Sequence, residues 1–95
     1  MAPGMQDPII VRKRMGDRIR FLRERKGWSQ HRLAQETGLG VRYTGSLERG
    51  EAAISIDSMK KLCDGLEMPM SELVQGVDDL SPAKAIQVTT TRKAQ

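Results

Sequence analysis

Residues 27–50 read GWSQHRLAQETGLGVRYTGSLERG, and this stretch decides the fold. Ser29 stands where a helix begins, with a side-chain oxygen able to accept a backbone N–H of the first turn. Trp28 and Leu33 flank it at the spacing of a hydrophobic staple. Leu33 and Ala34 point inward, Gly38 stops the helix with positive φ, and Leu39 tucks under the turn. A second helix follows at about Val41 to Arg49, with Gly40 in the capping position. Thr44 and Leu47 face inward, so Arg42, Gly45, Ser46 and Arg49 form the outward stripe. Gly45, in the middle of this helix, costs about 1 kcal/mol relative to Ala.

The flanks continue the helical pattern. Asp7-Pro8 is a helix opening, Asp as N-cap and Pro at the first helical position. Val11, Met15, Ile19 and Leu22 make one apolar stripe, which predicts helix 1 over 9–26. Arg12, Lys13, Arg14, Arg18, Arg20, Arg23 and Arg25 fill much of the remaining surface. Gly16 weakens the middle, so the regular part begins near Met15, and Gly27 stops the helix. After a loop over 51–54, Ser55 caps helix 4, with Asp57 in the first turn where the helix dipole favours an anion. Ile56, Met59, Leu62, Cys63 and Leu66 form its apolar face, and Gly65 interrupts it near the end. Pro69 opens a short helix 5, with Met70, Leu73 and Val74 inward and Gly76 as its stop.

Ninety-five residues hold one small domain. The single cysteine, Cys63, excludes an intrachain disulfide. No run approaches the roughly 18 apolar residues of a membrane span, and Met1 to Asp7 carries no signal-peptide pattern, so the cytoplasm is the default location. Charge is divided along the chain. Residues 1–50 hold 11 Lys and Arg against 5 Asp and Glu; residues 51–80 hold 2 against 7; residues 81–95 hold 3 against none. A basic half followed by an acidic one suits a polyanionic partner on one side of the molecule.

Two short helices around a tight turn are the unit that sets one helix into the major groove of DNA. The whole pattern resembles the lambda-repressor-like (Xre-type) helix-turn-helix family. The likeness covers about Met15 to Gly76. It is carried by Ile19-Arg20-Phe21-Leu22-Arg23, Gly27-Trp28-Ser29-Gln30, Leu33-Ala34, Thr37-Gly38-Leu39, Tyr43, Leu47-Glu48-Arg49-Gly50, Ser55-Ile56-Asp57, Leu62, Leu66 and Pro69 to Leu73. It implies an all-α, compact five-helix DNA-binding domain over 9–77, with helices 2 and 3 as the helix-turn-helix. Residues 1–8 are then a flexible start and 78–95 a C-terminal tail, disordered or associated with a dimer. The resemblance also implies an ion pair between Arg23 and Glu48, a DNA phosphate contact from Gln30, and base contacts from the first turns of helix 3. The chain departs from the family pattern at Gly45, where a small polar residue is usual, at Thr44, where a β-branched apolar residue is usual, and at His31 and Arg32, where acidic residues are common.

From these residues we expect base contacts from Val41, Arg42 and Ser46, and phosphate contacts from Gln30, Arg32, Tyr43 and Arg49. Arg42 is the strongest base reader, because its fork can meet guanine O6 and N7 together, worth about 1–3 kcal/mol of discrimination. Arg32 opposes the dipole at the start of helix 2, a cost that fits an end facing phosphate. Enzymatic readings are poor. The one His and one Cys lie in different helices, and neither a metal-ligand spacing nor a phosphate-cradling glycine loop is present. No metal or cofactor is implied. The expected function is a sequence-specific transcriptional regulator binding double-stranded DNA, as a homodimer on a palindromic operator, with Met68, Met70 and Val74 suited to the dimer face. The alternative is an antitoxin-like protein that neutralises a partner through residues 51–95 and binds DNA secondarily.

Overall fold

The computed structural model describes residues 8–78. Within them lie five helices and no strand: α1 Pro8–Arg25, α2 Gln30–Thr37, α3 Val41–Glu48, α4 Ile56–Leu66 and α5 Met70–Leu73. The expectations for Asp7, the N-terminal segment and the tail fall outside the described residues, apart from Pro8 and Asp78. α1 packs on α3, α2 on both α3 and α4, and α4 on α5. One residue or more of every helix enters a single core of Met15, Ile19, Leu22, Leu33, Leu47, Leu62, Cys63, Leu66 and Leu73, with Leu39 and Val77 from the connections. Each large side chain so buried contributes about 1.5–3 kcal/mol relative to exposure.

The α2–α3 turn forms as its residues dictate. The Ser29 side chain accepts the Arg32 N–H at 3.0 Å. Gly38 takes φ 79°, the left-handed conformation, and donates its N–H to the Ala34 carbonyl. Leu39 is buried behind the turn.

Gly16 does not delay the start of α1, which runs unbroken from Pro8. It marks the place where α1 crosses the end of α3. A Cβ there would lie 2.4 Å from the Leu47 carbonyl oxygen and 2.5 Å from that of Glu48. Gly65 does the same between α4 and α2, where a Cβ would lie 2.7 Å from Thr37 Cγ2 and 2.8 Å from the Glu36 carbonyl oxygen. α4 therefore continues through Gly65 to Leu66. Both glycines trade helix propensity for a close approach of two helices.

Four further expectations are corrected. Arg14 and Arg18 are not surface residues: Arg14 is buried and Arg18 fully so. Arg18 donates Nε to the Leu73 carbonyl at 3.3 Å and Nη2 to the Glu72 carbonyl at 2.7 Å. It thereby caps the Leu73 carbonyl, which the end of a one-turn helix leaves open, and adds a bond to the Glu72 carbonyl, which already accepts the Gln75 N–H at 3.3 Å. Its Nη1 has no hydrogen-bond partner among the described residues, and burial pushes its pKa down against the opposing pull of Glu72. Ile56 does not join the apolar face of α4; it is 64% exposed, in the first turn, at the far end of the helix from the crossing at Gly65. Pro69 is the N-cap of α5 rather than its first helical residue. Finally, Met68, Met70 and Val74 pack partly buried against the core and are not an exposed apolar face.

Candidate nucleic-acid interface

α3 is held rigidly on one side. The Glu48 carboxylate has no solvent exposure, and a buried charge requires partners. Arg23 supplies two hydrogen bonds, Nε to Oε2 at 2.6 Å and Nη2 to Oε1 at 3.0 Å. The fork geometry makes this pair stronger than a single contact, and the hydrogen bond to Glu48 raises the Arg23 pKa. Arg23 also donates Nη1 to the Trp28 carbonyl at 2.8 Å, and Gln30 Nε2 donates to Glu48 Oε1 at 3.0 Å. Arg20 Nε approaches the same oxygen at 3.7 Å. One carboxylate thus ties the end of α3 to α1 and to the start of α2. The Thr44 hydroxyl, unusual for a core position, is satisfied internally by the Gly40 carbonyl at 2.9 Å.

The other side of α3 is open. Val41 is 38% exposed. Arg42 is exposed, and no hydrogen bond or ion pair holds it among the described residues. Tyr43 is half-buried against the core, and its hydroxyl donates weakly to the Ala53 carbonyl at 3.4 Å. Ser46 is half-buried and accepts a long 3.5 Å hydrogen bond from Arg49 Nη2. Arg49 is the C-cap of α3 rather than its last helical residue, and its Nε pairs with Glu51 at 3.0 Å. Gly45 was expected on the outward stripe, yet it is buried. The Arg49 guanidinium and the Gln30 amide lie over it.

Gln30 and Arg32, both expected on phosphate, are not brought together at the start of α2. Two residues apart, they leave the helix in nearly opposite directions. Gln30 faces Glu48 and Gly45, whereas Arg32 pairs with Glu36 at 2.7 Å and stacks 5.1 Å from the Trp28 ring centroid. His31 is exposed. Sequence reasoning missed Lys13 and Arg20, which line a cleft between α1 and the end of α3 together with Asp17, Glu48, Arg49 and Glu51. The signal for Arg20 was present in its spacing, one turn before Arg23 on α1. No group of His, Cys, Asp and Glu fit to hold a metal occurs among the described residues, and no helix there is long and apolar enough to cross a membrane.

A rigidly held short helix with an open polar side, set after a glycine turn, defines a helix-turn-helix DNA-reading domain. A helix-turn-helix family model (HTH_3) matches residues 19–73, and the chain belongs to this family, the lambda-repressor-like (Xre-type) transcriptional regulators. It is 31% identical over 65 residues to the HTH-type transcriptional regulator SutR of Escherichia coli (strain K12), covering 68% of this chain and 36% of that protein. It is 38% identical over 60 residues to the HTH-type transcriptional regulator SlrR of Bacillus subtilis (strain 168), covering 62% of this chain and 40% of that one. The chain thus spans well under half the length of these two curated relatives. Among solved structures it resembles the restriction-modification controller protein C.AhdI from Aeromonas hydrophila, with a TM-score of 0.64 at 39% identity, covering 65% of this chain and 94% of that one.

Proposed function

We propose that the chain is a sequence-specific DNA-binding transcriptional regulator that inserts α3 into the major groove and binds a palindromic operator as a homodimer. The observation that carries this reading is Arg42: exposed, and without a partner among the described residues, on a helix whose opposite side is locked by Glu48. A guanidinium held on a rigid helix reads a base pair without first breaking an internal contact. Val41 contributes apolar contact to a thymine methyl, and Ser46 a short polar one. Gln30, Arg32, Tyr43 and Arg49 hold the DNA backbone. For Gln30, the hydrogen bond to Glu48 orients the amide and leaves a second N–H to offer to phosphate. Arg32 and Tyr43 make the weaker case, since Glu36, Trp28 and Ala53 already engage them.

One such domain contacts few bases, and two on a twofold axis double the readout at a half-site spacing of about 34 Å. The likeness to C.AhdI supports a controller-type regulator. Selection of bound duplexes from a random pool tests the proposal. A palindromic site is expected, with Arg42→Ala losing preference at one base position per half-site, worth about 1–3 kcal/mol. Uniform weakening across all sequences would reassign Arg42 to the backbone. A pool that yields no enriched sequence would sink the reading.

A further inference from the structure

Gly45 is unusual in being a buried glycine on the open side of α3, at the centre of an eight-residue helix. What covers it is not the core. A Cβ built there would lie 3.1 Å from Arg49 Nη1 and 3.5 Å from Gln30 Oε1. Two polar side chains, one from the start of α2 and one from the end of α3, therefore lie over the same missing side chain. Arg49 is steadied there by Glu51 at 3.0 Å and, more loosely, by Ser46 at 3.5 Å. Gln30 is steadied by the buried Glu48 at 3.0 Å. Each contact uses one donor and leaves others: Gln30 keeps one amide N–H, and Arg49 keeps both N–H bonds of Nη1.

We propose that Gly45 is a positioning residue: the space left by its missing side chain brings Arg49 and Gln30 together into one clamp for a single DNA phosphate. This rests on the DNA-binding reading above. Phosphate oxygens lie close enough together to accept from an amide and a guanidinium at once, and charge-assisted bonds of this kind are the strong ones. Gly45 itself touches nothing in the DNA. Any side chain at 45 pushes the guanidinium off the helix surface. The displacement is a few tenths of an ångström for Ala and full for a branched chain such as Leu. The clamp also accounts for a glycine in a helix interior, where Ala would be more stable.

The test uses the full chain and a fluorescein-labelled random-sequence duplex, titrated by anisotropy over a series of salt concentrations. Gly45→Leu is expected to weaken binding about tenfold, the worth of one charge-assisted hydrogen bond, and to flatten the salt slope by about one unit. Gly45→Ala is expected to fall between wild type and Leu in affinity. Yet it should raise Tm by about 5 °C through helix propensity, so affinity and stability move in opposite directions. In an Arg49→Ala background, either Gly45 substitution should change affinity by less than about twofold, because the group it displaces is gone. Losses that simply add in the double variants, or an unchanged salt slope, overturn the clamp while leaving DNA binding in place. A wild-type chain with no salt-dependent binding overturns the DNA-binding reading and the clamp with it.

Discussion

Replacing Gly16 with Ala should destabilise the domain, although helix propensity alone argues the reverse. In a helix interior the change gains about 1 kcal/mol. Against this, the new Cβ would sit 2.4 Å from the Leu47 carbonyl oxygen, 2.5 Å from that of Glu48 and 2.8 Å from the Glu48 carbonyl carbon. Ordinary contacts begin near 3.4 Å, so α1 must retreat from α3 by about 1 Å. These are backbone atoms at the end of a helix and cannot rotate away as a flexible side chain would. Overpacking of this kind costs about 1–3 kcal/mol and occasionally more. Retreat also stretches the Arg23–Glu48 bonds across the same interface. We expect a net loss of about 2 kcal/mol, a large share of the few kcal/mol that hold a domain of this size. Urea unfolding followed by Trp28 fluorescence should show a lower midpoint at an unchanged slope. Gly45→Ala is the internal control, with the same propensity gain and only the end of the Arg49 side chain, rather than backbone, in the way. A Gly16→Ala variant as stable as wild type would refute the reasoning, because it would mean that the α1–α3 contact yields without cost.

Glu48→Ala should lose about 3–5 kcal/mol, because it strands the Arg23 guanidinium, only 13% exposed, beside the core; denaturant titration measures this, and a loss under about 1 kcal/mol would show that water reaches Arg23 freely. Arg18→Ala should cost about 1–3 kcal/mol by freeing the Leu73 carbonyl and removing one of the bonds to the Glu72 carbonyl, and hydrogen exchange should rise first over 70–77. Equal protection in that segment would separate α5 from Arg18. Cys63 should resist alkylation in the native state. Burial pushes its thiol pKa up and removes the nucleophilic thiolate, so labelling should follow global unfolding, and fast native labelling would place the thiol at the surface. Arg32→Ala should weaken binding to all duplexes alike and flatten the salt slope if Arg32 leaves Glu36 for phosphate; an unchanged slope assigns it to the Trp28 stack.

The parts of this domain written in local patterns were legible in its sequence. Ser29, Gly38 and Ser55 are caps whose chemistry acts within four residues, and the core stripes follow helical spacing. Legibility failed where two distant segments meet. Gly16, Gly45 and Gly65 look alike in sequence, each a weak point in a helix, but the structure gives them three roles. Gly16 admits a neighbouring backbone, Gly65 admits the end of α2, and Gly45 makes room for two polar side chains. The arginines fail in the same way. Arg14 and Arg18 carry the same formal charge as Arg42, yet Arg18 serves the carbonyls of α5, some 55 residues away in sequence, whereas Arg42 has no partner among the described residues. Net charge therefore overstated the basic surface offered to DNA, since Arg18 and Arg23 spend their donors inside the fold. What the proposed reading leaves for DNA is smaller and more ordered: Arg42 at the front of α3, and Arg49 with Gln30 over its last turn. On the proposed reading, such a regulator draws its base specificity from one long side chain per domain. On that same reading, the proposed second domain on the operator, rather than a richer α3, is the economical route to a unique site.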